Sequence, residues 1–431
     1  MDRENMNKHL KLLQDMDMKD KVILVRVDHN VVKNGIIKDP YRIDATIGTL
    51  YSIAEKGGRP ILMTHVGRPR DKDGQITCHE GESVKTIVRY LEEKLCIKIH
   101  APEFPIDPDK GIVHLNQSIQ PALEDLRQGK IGMIYLPNSR WFCGEQAKGL
   151  IKESFAKELA DIADIYINDA FGSYRAHAST YDISNYLPSA AGYLLQKEII
   201  NLDKVINPQR PFVAVIAGSK YDTKIGPLKA LYEKVDHLIL GGLMYNIFLS
   251  AKYGCTFKGV SDEDRKLAME LVKLDNKGHK ILEMPYIVES DTMECKISGR
   301  YRTLKVKDLK SGKEFMHGLD IDPGSFKEPM VQSVIDSAKT IFVNAVMGFM
   351  PHFYEGSQAL YKLINSNNTA MRLFGGGDTL QELKNLCPGD YMTGIDHPNT
   401  YYFTGGGSVL AAIEQGGPYQ LKPVKALMEE H

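Results

Sequence analysis

Tryptophan occurs once in the 431 residues, as Trp141, and cysteine six times, as Cys78, Cys96, Cys143, Cys255, Cys295 and Cys387. These cysteines form no CxxC pair and no zinc-like spacing, which argues against a disulfide framework or a thiolate metal site and predicts reduced thiols in a cytosol. Long apolar runs are missing too. No stretch approaches the roughly 20 residues a membrane helix needs, and the segment Met1–Lys8 has no apolar signal core, so a soluble, cytoplasmic protein with no membrane partner is expected. Neither sign of charge is in excess: 54 Lys and Arg stand against 55 Asp and Glu. A net charge of -1 offers no global field to nucleic acid, so any anion site must be local. There is no GxxxxGK[ST], no GxGxxG after the first strand-like run, and no convincing HExxH or Ser/His/Asp arrangement. P-loop enzymes, dinucleotide dehydrogenases, zinc peptidases and hydrolases therefore have little support.

What is present is a chain of ordinary globular composition, 43% apolar and 25% charged, long enough that two domains are the default expectation. Short runs of Val, Ile and Leu recur, many followed by a stretch with helical spacing, the pattern of an α/β fold. Val22 to Val27 is the first such run. It precedes a helix predicted over Asp44 to Gly57, with Ile47, Leu50, Tyr51 and Ala54 on one face and Gly57 as a left-handed stop. Ile61 to Met63, Ile131 to Leu136 and Ile162 to Ile167 continue a first series of strands. Phe212 to Ile216, Leu238 to Leu240, Ile341 to Val343, Met371 to Phe374 and Tyr401 to Phe403 form a second. Continuous apolar strands fit parallel sheets covered by helices on both faces, so the reading is two parallel-sheet lobes. Pro188 to Ile206 reads as a helix bridging them, and Tyr286 to Val306 as extended structure.

In open parallel sheets, ligands sit beyond the carboxyl ends of the strands, and the segments found there differ between the two halves. The first half collects Arg and His: Asp28-His29-Asn30, Thr64-His65-Val66-Gly67-Arg68, Pro137 to Arg140, and Asn168 to His177 with Arg175. The planar guanidinium donates paired hydrogen bonds to phosphate and carboxylate, so Arg42, Arg68, Arg140 and Arg175 predict a small anionic substrate. The second half collects glycine: Ala217-Gly218-Ser219-Lys220, Gly241-Gly242, Asn344 to Gly348, Gly375 to Thr379 and Thr404 to Ser408. Glycine turns entering helices let backbone N–H groups approach a polyphosphate, and Asp378 within one of them suits Mg²⁺. Two such half-sites imply domains that close to transfer a phosphoryl group, with Lys220 as transition-state stabiliser.

Taken in order, Val25 to Asn30, His65 to Pro69, Asn138 to Arg140, Asn168 to Gly172, Arg175 to His177, Gly218 to Lys220 with Lys224, Gly375 to Thr379 and Thr404 to Gly407 resemble the phosphoglycerate kinase family over nearly the whole chain. The resemblance implies two Rossmann-like lobes joined by a helix: 1–190 binding the acid, 191–207 bridging, 208–408 binding nucleotide, and 409–431 returning to the first lobe. It implies a monomer whose small-molecule substrates are 3-phosphoglycerate and ATP or ADP, with Mg²⁺ as cofactor. Asp28, His29, Asn30, His65, Val66, Gly67, Arg68, Arg140, Arg175 and His177 would hold the acid, with Arg42 near its reacting carboxylate. Lys220 would neutralise the moving group, together with the backbone at Gly377 and Gly406. Gly218, Ser219, Lys224, Gly241, Gly242, Leu319, Asn344, Gly376 and Thr379 would hold the nucleotide, and Asp378 the metal.

The departures lie mainly on the nucleotide side. Where the family carries Asn-Gly-Pro-Met-Gly-Val-Phe-Glu, this chain has Asn344 to Pro351, so Pro351 replaces the glutamate expected on the ribose, and only an alignment shift recruits Glu355. In the acid site a shortened Gly172-Ser173-Tyr174-Arg175 puts Tyr174 where the family commonly has histidine. An altered nucleotide preference is therefore expected. Two other readings stay open: a specialised kinase for a related phosphorylated or phosphonate carboxylic acid, and a catalytically silent binding homologue.

Overall fold

All six residues of Val22–Val27 (β1) are buried although the run has no polar alternation, which requires cover on both faces of the sheet. The structure, a computed structural model, describes residues 6, 10–115, 117–218 and 224–428. The chain divides into two compact units, the first taking in the described residues up to Ile200 and from Pro418 onward, the second Asn201–Gly417.

Unit 1 is built on a six-stranded sheet of β1, Arg59–Met63 (β2), Ile99–His100 (β3), Met133–Tyr135 (β4), Ile165–Asp169 (β5) and Ser189–Ala191 (β6). Its order is β3-β4-β2-β1-β5-β6, and every pairing is parallel. Near the chain end, Lys11 N–H donates to Leu427 O at 3.3 Å, tying the last described turns to the start of the same unit.

Unit 2 carries a five-stranded parallel sheet of Phe212–Ala217 (β7), His237–Gly241 (β8), Thr340–Asn344, Met371–Gly375 and Thr400–Phe403. Between its halves lies an antiparallel three-stranded sheet of Tyr286–Ser290 (β9), Tyr301–Lys305 (β10) and His317–Ile321 (β11), the extended structure expected over 286–306. Continuing the numbering, Thr340–Asn344 is β12, Met371–Gly375 is β13 and Thr400–Phe403 is β14, giving the order β8-β7-β12-β13-β14. Among the described residues no helix is long and apolar enough to cross a membrane.

Two local expectations are corrected. The helix Ile47–Glu55 ends as expected before Gly57, at φ +75°, but it buries Thr49, Leu50, Ser52 and Ile53, and Tyr51 is 60% exposed. Two small hydroxyl residues can sit on the buried face because each has a partner: Thr49 Oγ1 accepts from Tyr193 N–H at 2.9 Å, and Ser52 Oγ lies 3.3 Å from the Tyr193 hydroxyl. The stretch from Pro188 is not one helix. Ser189–Ala191 adds a strand to the sheet edge beside β5, and the helix starts only at Tyr193 and runs to Ile206. Gly192 separates them, where a Cβ would collide with the Asp169 carboxylate.

Candidate functional site

In unit 1, neighbouring parallel strands release their loops along one edge. Asn138, fully buried, pins two of these loops: its Oδ1 accepts from Val66 N–H at 3.0 Å and Arg140 N–H at 3.1 Å, and its Nδ2 donates to Val66 O at 2.7 Å. Asn30 Oδ1 accepts from Gly67 N–H at 3.0 Å, and the Arg140 guanidinium donates to Gly67 O. The loops enclose a cavity of about 580 Å³. Of the residues expected to bind acid, Asn30, His65, Gly67, Arg68, Arg140, Arg175 and His177 line it. Arg70, Asp71, Gln146, Ser173 and Tyr174 line it as well. Arg42, on the short helix Tyr41–Asp44, places Nη1 3.4 Å from Asp28 Oδ2.

Val66 and His29 do not reach this cavity. Both are fully buried, and the His29 ring is spent on packing, with Nδ1 2.9 Å from the Tyr135 hydroxyl and Nε2 3.0 Å from Thr46 Oγ1. Burial pushes the His29 imidazole down from 6.5 to about 3, with Asp28 opposing and Arg26 adding to the shift. A proton that the unfolded chain takes up near pH 6.5, and the folded chain refuses until about 3, costs stability as pH falls through that window, about 1.4 kcal/mol per unit. Asp169, raised by burial to about 7, works in the opposite direction, so variants must be compared with the parent at equal pH. The urea midpoint of the parent should exceed that of His29→Gln by less at pH 5 than at pH 7, and an equal lead at both would contradict this account.

Beneath the cavity lies a charged cluster with no role in the sequence reading. Arg26, 1% exposed near the carboxyl end of β1, donates from Nε to Ser179 Oγ at 2.8 Å, and Ser179 Oγ donates to Glu145 Oε1 at 2.7 Å. Its Nη2 lies 3.2 Å from His65 Nδ1. The available signal was an arginine inside an otherwise apolar strand, a residue almost never buried unless paired. Burial, reinforced by Arg26 and Arg68, lowers the Arg140 pKa, as expected where cations crowd together and an anion would relieve them.

In unit 2 the glycine turns converge at the carboxyl ends of β7, β8, β12, β13 and β14. Gly242 adopts φ +60°, its N–H donates to Met347 O at 3.2 Å, and Met244 N–H donates to Gly218 O at 3.2 Å. Asn344 holds the centre, its Nδ2 donating to Gly375 O at 2.7 Å and its Oδ1 accepting from Lys224 Nζ at 3.4 Å. Lys224 also donates to Ala217 O at 2.7 Å. Burial lowers its pKa, and the Asp378 charge partly opposes that. Gly376, at φ +109°, immediately precedes the helix Gly377–Leu386, which exposes Asp378 and buries Thr379 in its first turn. Gly406 opens the helix Gly406–Gln415 and backs directly onto Gly376. Gly241 packs against Met347, and Leu319, on β11, accepts at its carbonyl from Phe349 N–H at 2.7 Å. Ser219 and Lys220 lie outside the described residues. Pro351 is exposed, and Glu355, first residue of the helix Glu355–Ser366, is engaged with Lys296 at 2.6 Å.

A family model described as Phosphoglycerate kinase matches residues 13–416. The chain belongs to the phosphoglycerate kinase family. Relatives of that name include one from Moorella thermoacetica, 34% identical over 409 residues covering 93% of this chain and 95% of the relative. Another, from Trichodesmium erythraeum, is 33% identical over 410 residues, covering 93% of this chain and 95% of its own. The solved phosphoglycerate kinase of Coxiella burnetii superposes with a TM-score of 0.72 at 26% identity, covering 97% of this chain and 98% of that one. The Pyrococcus horikoshii structure, with a TM-score of 0.74 at 22% identity, covers 97% and 99% and supports the fold alone. As a phosphoglycerate kinase family member the chain is a phosphotransferase with a carboxyl group as acceptor.

Proposed function

We propose that the chain interconverts 1,3-bisphosphoglycerate and ADP with 3-phosphoglycerate and ATP in the cytoplasm, as a monomer, with unit 1 holding the acid and unit 2 the nucleotide. The observation that carries this reading is the unit 1 cavity, where Arg68, Arg140 and Arg175 meet His65 and Asn30 at the strand ends. Three guanidinium forks suit a ligand bearing both phosphate and carboxylate. Arg42, paired with Asp28, is assigned to the reacting carboxylate. In unit 2, the glycine turns at Gly218, Gly242, Gly376 and Gly406 let neighbouring loops approach one another at the strand ends, and helix starts at Gly242, Gly377 and Gly406 suit phosphates. Lys224 meets a nucleotide phosphate, and Gly241, Leu319 and Asn344 line the base and ribose region.

Asp378 fits Mg²⁺: it is a single exposed carboxylate in a helix's first turn, and Mg²⁺ typically takes one or two protein carboxylates and completes its shell with phosphate oxygens and water. When bound, the ion would supply charge neutralisation on the polyphosphate. Pro351 offers no side-chain acceptor for ribose hydroxyls and Glu355 is already committed to Lys296, which favours weakened or altered nucleotide selection. Tyr174 on the cavity wall favours, as a second reading, a related phosphorylated or phosphonate carboxylic acid.

A phosphoryl-transfer assay with 3-phosphoglycerate and its analogues, run across ATP, GTP and pyrophosphate, tests the reaction and the choice of substrates. Turnover with 3-phosphoglycerate is expected, and it should stop when EDTA removes Mg²⁺. Faster turnover of an analogue would favour the specialised kinase. Binding of 3-phosphoglycerate with no turnover by any donor would leave a silent homologue.

A further inference from the structure

The buried cluster beneath the acid cavity constrains one atom of the cavity wall. Arg26 is 1% exposed and does not line the cavity, yet each of its guanidinium nitrogens has a neighbour: Nε donates to Ser179 Oγ at 2.8 Å, Nη1 donates to Val27 O, and Nη2 lies 3.2 Å from His65 Nδ1. Ser179 is itself fixed by Glu145, which accepts from Ser179 Oγ at 2.7 Å, from Ser179 N–H at 3.0 Å and from Ser139 Oγ at 3.2 Å. Glu145, Ser139 and Ser179 are all buried, so the guanidinium has little freedom to turn.

A guanidinium donates hydrogen bonds and cannot accept them. His65 Nδ1 must therefore present its lone pair to Arg26, which leaves the ring hydrogen on Nε2. Ser173 Oγ, 3.4 Å from the same Nδ1, adds a second group on that side of the ring. Among the described residues Nε2 makes no hydrogen bond, while His65 lines the cavity with Arg68, Arg140 and Arg175.

We propose that Arg26 is a positioning residue, locking His65 in the Nε2–H tautomer so that it serves as an uncharged hydrogen-bond donor to an oxygen of the anionic acid. The proposal rests on the acid-binding reading of the unit 1 cavity. Burial first, then the positive charges of Arg26, Arg140 and Arg42 and the nearby His177, hold the His65 pKa well below 6.5, so the ring gains no proton of its own at neutral pH. Such a donor contributes to binding through its Nε2–H without carrying a charge in the ligand-free site. The Arg26–Ser179–Glu145 chain keeps it aimed.

Long-range ¹H–¹⁵N correlation spectra of the isotopically labelled full chain at pH 7 test this directly. An unprotonated, pyridine-like Nδ1 and a protonated Nε2 are expected for His65, with Nε2 responding when 3-phosphoglycerate is added. Arg26→Met should release the tautomer to a mixture and raise KM for 3-phosphoglycerate about two- to threefold with little change in kcat, because binding then draws on only the fraction of rings in the Nε2–H form. Because that change strands the Glu145 charge, Arg26→Met/Glu145→Gln removes both charges, and the same shift in tautomer and KM is expected. A protonated Nδ1 in the parent protein would overturn the proposal, as would folded variants that keep the Nε2–H tautomer and the parental KM. Normal turnover of 3-phosphoglycerate with no response at Nε2 would overturn the donor role and leave the reading of function intact. A locked His65 in a protein that neither binds nor turns over 3-phosphoglycerate would count against that reading, and the donor role would fall with it.

Discussion

Lys220→Ala is expected to lower kcat by about a thousandfold, roughly 4 kcal/mol of transition-state stabilisation, while KM for 3-phosphoglycerate changes only a few fold. Phosphoryl transfer spreads charge over oxygens that are moving between donor and acceptor, and it needs no covalent protein group. A cation fixed beside those oxygens therefore does most of its work at the transition state, and its removal appears in kcat rather than in substrate affinity. Lys220 follows β7 in the segment Ala217-Gly218-Ser219-Lys220 and is assigned this role from its place in the sequence. Lys224, four residues further along the sequence, differs in having its ammonium already bonded to Ala217 O and near Asn344. Steady-state kinetics with both substrates varied decide the matter, and a kcat within tenfold of the parent would remove Lys220 from the chemistry.

Gly406→Ala is expected to impair nucleotide binding by unit 2 far more than a single added methyl group would at an open position. A Cβ there would lie 2.5 Å from the Gly376 nitrogen, closer still to the Gly376 Cα, and 2.7 Å from Asn344 Nδ2. The Gly376 atoms are backbone, so no side-chain rotation relieves the clash, and the loops after β13 and β14 must separate. Overpacking of this kind costs about 1–3 kcal/mol of stability. The functional loss should be larger, on the order of a hundredfold in kcat/KM for the nucleotide, because misplacement by about an ångström is costly in a positioned reaction. Gly389→Ala is the control, since nothing lies within 4 Å of the position its Cβ would take. Nucleotide titration and thermal unfolding of the two variants should differ sharply. Equal behaviour would mean that the loops tolerate separation.

The sequence made most strands of both sheets legible because they are largely apolar runs buried on both faces, as with Val22–Val27 and Phe212–Ala217, whereas Ile99–His100 and Ser189–Ala191 were not read as strands. It was a poorer guide where one residue type serves two environments. Tyr51 looked like part of a buried helical face and is exposed, while Thr49 and Ser52 looked polar and are buried, because Tyr193, more than a hundred residues away, supplies their partners. Ala190 and Ala191 suit a helix by propensity, yet they form an edge strand because β5 offers an unpaired side. In the acid site, the arginines and His65 followed from their positions after strands. His29 did not, since nothing local distinguishes an imidazole that reaches a cavity from one enclosed by Tyr135 and Thr46.

What the sequence determined by itself was the order of most strands and turns, the class of the fold, the family, and the separation of an arginine-rich half from a glycine-rich one. These depend on residue type and on spacing along the chain. Only the tertiary structure decided that Arg26, Ser179 and Glu145 meet beneath His65, that Asn344 joins Lys224 to Gly375, and that Gly376 and Gly406 touch. Each of these contacts links residues far apart in the chain, and a hydrogen bond or a steric limit depends on distances of a few tenths of an ångström that only the packed fold sets.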